Sequence, residues 1–148
     1  MKTSIATILF VLINYCSFAQ GDQNPPRSVR ETFQKTYPQS QPTRWDHNSL
    51  GWSVIFEDRD HDNGEVTAHF DNEGRHQDTH VYYDNKDVPD PVMNNLRQRY
   101  NGSDNYEFTR IDRPQKENIY QAHFRHHNRN MTRYMDERGN ERTYHDRH

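Results

Sequence analysis

Trp52-Ser53-Val54-Ile55-Phe56-Glu57 and, beyond one turn, Val66-Thr67-Ala68-His69-Phe70 are the stretches on which the fold turns. Both alternate with a period of two, as a strand does when one of its faces is buried. Asp62-Asn63-Gly64-Glu65 between them supplies a hairpin turn, because Asn-Gly accepts positive φ at little cost. After Phe70 the chain turns again through Asp71-Asn72-Glu73-Gly74, and Gln77 to Tyr83 reads as another strand. Before Trp52, Trp45 marks a short first strand.

Further upstream, Val29, Phe33 and Tyr37 fall at i, i+4 and i+8, one stripe of a helix. Ser28 and Glu31 have the spacing of a capping box, and Pro38 ends the stripe. The same order then recurs. Asp90 and Pro91 signal a second helix start, Val92, Met93, Leu96 and Tyr100 form its stripe, and Asn101-Gly102 closes it. Tyr106 to Ile111, Ile119 to Phe124, Met131 to Met135 and Arg142 to His145 read as strands. Met135-Asp136-Glu137-Arg138-Gly139 echoes Phe70 to Gly74. A repeat of this length fixes architecture before any residue is given a job. The expected fold is α+β: two tandem helix-plus-antiparallel-sheet repeats, with helices on one face and an open sheet face opposite. The expected divisions are a signal peptide at 1–19, a polar leader at 20–27, a first repeat at 28–83, a linker at 84–89 and a second repeat at 90–148.

The signal-peptide reading rests on Lys2, the apolar run Ile5 to Ile13 and the small residues of Ser17-Phe18-Ala19. That run is far shorter than the ~20 residues a membrane span needs. Cleavage near Ala19-Gln20 predicts a periplasmic or secreted protein. It removes Cys16, the one cysteine, and with it any disulfide or thiol chemistry. The formal net charge of -3, one unit more negative without Lys2, offers no signal for nucleic acid. No later segment is apolar enough to span a membrane. Only 30% of the chain is hydrophobic while 12% is aromatic, which predicts a thin core filled by rings. The mean hydropathy of -1.38 is low enough to raise disorder, and the periodic apolar residues argue for a folded domain instead.

Alternation also assigns the faces. Trp52, Val54, Phe56, Val66, Ala68 and Phe70 are expected under a helix. On the open face, Ile55, His69, His80, Tyr82, His123 and Tyr134 are the expected contacts for a protein partner. Arg133 breaks the pattern by occupying an inward slot.

With these residues placed, the chain resembles the PepSY-like domains related to beta-lactamase-inhibitor protein, small secreted bacterial proteins of tandem helix-plus-sheet units. The resemblance is carried by Val29-x3-Phe33-x3-Tyr37-Pro38, Trp45, Trp52-x-Val54-x-Phe56 and Phe70-Asp71-x2-Gly74, and by the second copy from Val92 to Gly139. It implies an extracytoplasmic, non-enzymatic module that binds or restrains another protein, an envelope or extracellular enzyme among the targets. No position matches an inhibitory residue of that family, and the mature chain lacks its disulfides.

No catalytic set stands out: there is no Gly-rich phosphate loop, His-Glu-x-x-His or nucleophile elbow, so no enzyme activity and no cofactor is expected. Asp58 to Gly64 looks like a calcium loop, but Asn63 and His69 stand where glycine and glutamate are needed. Ten histidines raise a rival reading, a metal- or pH-responsive binding protein using His123, His126, His127 and His145. Their spacing matches no standard zinc motif, so no metal site is assigned.

Overall fold

The computed structural model describes residues 24–58, 65–83 and 85–144. Met1–Ala19, the hairpin tip at 59–64 with its calcium-like pattern, and His145 lie outside the described residues. The elements follow the order α1 (Arg27–Thr36), β1 (Pro42–Asn48), β2 (Gly51–Glu57), β3 (Glu65–Phe70), β4 (His76–Tyr83), a 3-10 turn (Asn85–Asp87), α2 (Asp90–Arg99), β5 (Asp104–Asp112), β6 (Ile119–His126) and β7 (Arg129–Met135).

The expected α+β pair of helix-plus-sheet repeats is overturned. All seven strands form one antiparallel sheet, in spatial order β1 to β7, and the fold is predominantly β with only two ten-residue helices among the described residues. The reason lies at β4. With the first four strands alone, β4 would be an unpaired edge, which invites pairing with another chain. Here β5 covers it: Thr79 to Tyr83 pair with Asp112 to Phe108. The expected strand from Arg142 is also absent. Beyond Met135 a single bridge to Glu141 is made, and residues 142–144 form no strand.

Both helices lie on one face of the sheet. Val29 and Phe33 of α1 join a buried cluster with Val54, Phe56, Val66 and Ala68. Phe33 meets Trp45 and Phe56 edge-on, with ring centroids 5.5 and 5.2 Å apart. Val92 and Leu96 of α2 pack with Phe108, Ala122, Phe124 and Met135. Burying one such side chain contributes about 1.5–3 kcal/mol. Arg133 does occupy an inward slot, opposite Ala122. Its Nε donates to the Tyr100 hydroxyl at 2.6 Å and its guanidinium lies over the Tyr100 ring at 5.2 Å. Stacking on an aromatic face lets a cation be tolerated there.

The helix starts differ from the expected capping. Pro26 and Pro89 hold the N-cap positions, and neither makes a side-chain cap bond. Ser28 lies inside the first turn of α1, and Glu31 accepts from Arg27 Nε at 2.7 Å. Each helix start is instead backed by a sheet turn. Asp71 Oδ1 accepts from the Glu73 and Arg75 amides at 3.1 and 2.8 Å, and Asp136 Oδ1 accepts from the Arg138 and Asn140 amides at 3.0 and 2.9 Å. The turns end at Gly74 (φ +86°) and Gly139 (φ +77°). A Cβ on Gly74 would meet the Ser28 carbonyl carbon at 2.8 Å, and one on Gly139 would meet the Pro91 oxygen at 2.3 Å. Glycine is needed at both for φ and for space. No described helix is long and apolar enough to cross a membrane.

Candidate functional site

The face without helices is laid out by the strand register. Ile55, Thr67, His80, Ile111 and Ile119 are paired in sequence from β2 to β6. The next row runs Tyr82, Thr109, Gln121 and Tyr134 from β4 to β7. Tyr82 therefore stands on the middle strand, and it is 63% exposed. Ile55 is half-buried. His123 is exposed on β6, where its Nδ1 bonds Thr132 Oγ1 at 2.9 Å.

One end of this face is covered. The Arg142 amide donates to the Tyr134 carbonyl at 2.8 Å, which turns the chain back from β7. The Tyr144 ring then lies 5.1 Å from the ring of Tyr134. Its hydroxyl donates to Asp78 Oδ2 on β4 at 3.1 Å. Ile111 and Ile119, in the strip that this crossing spans, are buried. Tyr134 is half-buried as a result.

His69, Asp78 and His80 meet under that cover. His69 Nδ1 lies 2.8 Å from Asp78 Oδ1, and His80 Nε2 lies 3.4 Å from the same oxygen. The two imidazole rings are 4.8 Å apart and nearly perpendicular. The side chains of His69, Asp78 and His80 are only 9%, 11% and 17% exposed. The register explains the encounter. His69 is opposite Asp78, and the next pair is Phe70 with His76, so β4 carries an extra residue at Gln77. Such a bulge re-aims side chains beside it. A groove of about 630 Å³ opens against the cluster, with Ser53, His69, Asp78, Arg113, Lys116 and Tyr144 among its walls.

The sequence pattern placed His69 and His80 on this face, and the structure brings them together. Asp78 and Tyr144 were missed. Alternation with His80 and Tyr82 could have found Asp78, whereas Tyr144 falls in a stretch read as a strand that does not form at residues 142–144. Among the described residues, His123, His126 and His127 form no ligand cluster, and His145 lies outside those residues. His126 Nδ1 bonds Ser103 at 2.8 Å, and His127 sits at positive φ beside it. Among the described residues, the grouping of metal-ligating types is His69, Asp78 and His80.

Solved structures share this arrangement of strands and helices. A DUF2874 family protein from Bacteroides uniformis ATCC 8492 matches with a TM-score of 0.71 at 17% identity, over 80% of this chain and 86% of that one. A BLIP-like protein from Bacteroides fragilis NCTC 9343 matches with a TM-score of 0.70 at 15% identity, over 81% and 84%. A DUF2874 family protein from Bacteroides ovatus ATCC 8483 gives 0.68 at 19%, over 80% and 84%. The chain shares their fold. At these identities the likeness is one of architecture, and function has to be argued from the site. It bears out the resemblance read from the sequence as far as a fold shared with a BLIP-like protein, and does not single out PepSY-like domains. No family model matches the chain, and no curated protein does.

Proposed function

We propose that the protein is a secreted or periplasmic, non-enzymatic module of PepSY-like type that binds another protein through the sheet face opposite its helices. The observation that carries this reading is Tyr82, largely exposed on the middle strand of a seven-stranded sheet. Tyrosine combines a large ring with a polar tip and is enriched at the centres of interfaces. Ile55 and His123 extend the contact, while His69, His80 and Tyr134 support it from below. The fold shared with a BLIP-like protein supports a binding role, and an envelope or extracellular enzyme is the target class we favour.

The test is capture from an envelope extract by the mature chain, followed by affinity measurement with the captured protein. Tyr82→Ala should weaken binding by about 2 kcal/mol or more, the loss typical of a central anchor, with an unchanged melting temperature. Normal binding by Tyr82→Ala, together with loss on changes at 84–89 or 58–64, would place the contact on a loop.

A further inference from the structure

The geometry points to a divalent transition-metal site, of the kind that takes Zn2+, formed by His69, Asp78 and His80. This does not rest on the partner reading above, and it uses none of the four histidines that the sequence pattern singled out for metal. Two imidazoles and a carboxylate are a ligand set that suits zinc, and a three-residue set of this type leaves a fourth position for water.

Three observations converge. First, the ligand atoms all lie within 4.8 Å of one another, with two of the separations at 2.8 and 3.4 Å. Ligands bound to tetrahedral zinc at its usual bond lengths sit ~3.3 Å apart, so small side-chain rotations suffice. Second, two imidazoles on neighbouring strands converge on one carboxylate oxygen, Asp78 Oδ1, and a shared cation accounts for that convergence. Third, the support is in place. The ligands stand on two neighbouring strands beside a bulge, and Tyr144 holds the second oxygen of Asp78 at 3.1 Å. Outer partners of this kind orient a ligating carboxylate. The groove reaches His69 and Asp78, which gives an ion an entry path and room for its water.

The experiment titrates the mature chain with zinc sulfate by calorimetry under chelator competition, and with Co2+ by visible absorption. One zinc per chain is expected, with the strong visible bands of low-coordinate Co2+. Asp78→Asn and His80→Gln should each weaken zinc at least ~10-fold, and Tyr144→Phe should weaken it by a similar factor through the carboxylate. His123→Ala and His126→Ala should leave it unchanged. Zinc should raise the melting temperature of the wild type and of His123→Ala, and should not raise that of His80→Gln. The wild-type Co2+ spectrum decides the matter even if a ligand variant fails to fold. Failure to take up one equivalent, uptake with only the weak bands of octahedral Co2+, or uptake that depends on His123 or His126 and survives Asp78→Asn would overturn the site.

Discussion

Tyr144 and Asp78 are 66 residues apart in the chain, yet the phenol of the first donates to Oδ2 of the second at 3.1 Å. The contact carries residues 142–144 back from the β7 edge to the middle of the sheet. Its acceptor is a buried carboxylate, and hydrogen bonds to charged groups contribute about 1.5–3 kcal/mol. Tyr144→Phe keeps the ring against Tyr134 and deletes only the donor. We expect it to lower stability by about 1–2 kcal/mol in urea denaturation of the metal-free chain. An unchanged midpoint would mean that water replaces the phenol without loss.

Glycine substitutions should separate backbone strain from crowding. Gly102 has φ +79° and nothing within 4 Å of an added Cβ, so Gly102→Ala should cost about 1 kcal/mol. Gly74→Ala and Gly139→Ala add a clash with Ser28 and Pro91 respectively, in the first turn of each helix. They should cost about 2–4 kcal/mol each by chemical denaturation. Equal costs at all three positions would show that the helix starts yield freely.

Acid should weaken the fold through Asp136. Burial alone would raise its carboxyl. The Asn140 side chain and amide, the Arg142 guanidinium and the Arg138 amide outweigh burial and hold it below its ordinary 3.8. A group depressed in the folded state contributes stability above its unfolded value, and that contribution is lost as pH falls through the folded value. Asp136→Asn should therefore be less stable than wild type at pH 7, by about 1–3 kcal/mol. The gap should shrink as pH falls below 3.8. A constant gap from pH 7 down to pH 2 would exclude this carboxylate as the cause.

Base should act through Tyr37. Burial pushes its phenol up from 10.0 to about 12. The hydroxyl bonds Thr79 Oγ1 and lies 3.3 Å from His76 Nε2. A raised value contributes stability that is full below pH 10 and is lost as pH rises toward 12. Tyr37→Phe should flatten that alkaline loss of stability, as read from melting temperatures between pH 9 and 12. A steep loss that persists in Tyr37→Phe would assign it to other tyrosines.

Alternation in the sequence was enough to put Val54 and Phe56 beneath a helix and Ile55 and Tyr82 on the other side, because a period of two leaves each residue one choice of face. It also put Arg133 in its inward slot, where Tyr100 receives it. Periodicity says nothing about which strands become neighbours. The β4–β5 ladder that merges the strands into one sheet was therefore invisible, and two separate sheets were expected in its place. Alternation puts Asp78 on the same face as His80, and what the sequence leaves open is that the β3–β4 ladder sets it opposite His69. Tyr144 lies in the stretch read as a last strand from Arg142, which does not form at residues 142–144, so only the folded chain shows where it lands.

The β4–β5 ladder also says how the chain should behave if severed. A cut at the exposed turn Asn85–Asp87 leaves two fragments, each holding one helix, its own aromatic cluster and one newly bared strand edge. Each bared edge is the other's native complement. Mixed fragments should reconstitute the native sheet with one-to-one stoichiometry, seen as a single species in size-exclusion chromatography. Either fragment alone should self-associate through its raw edge, and the Asn85–Asp87 turn would then be the place at which this protein can be rebuilt as a two-part reporter.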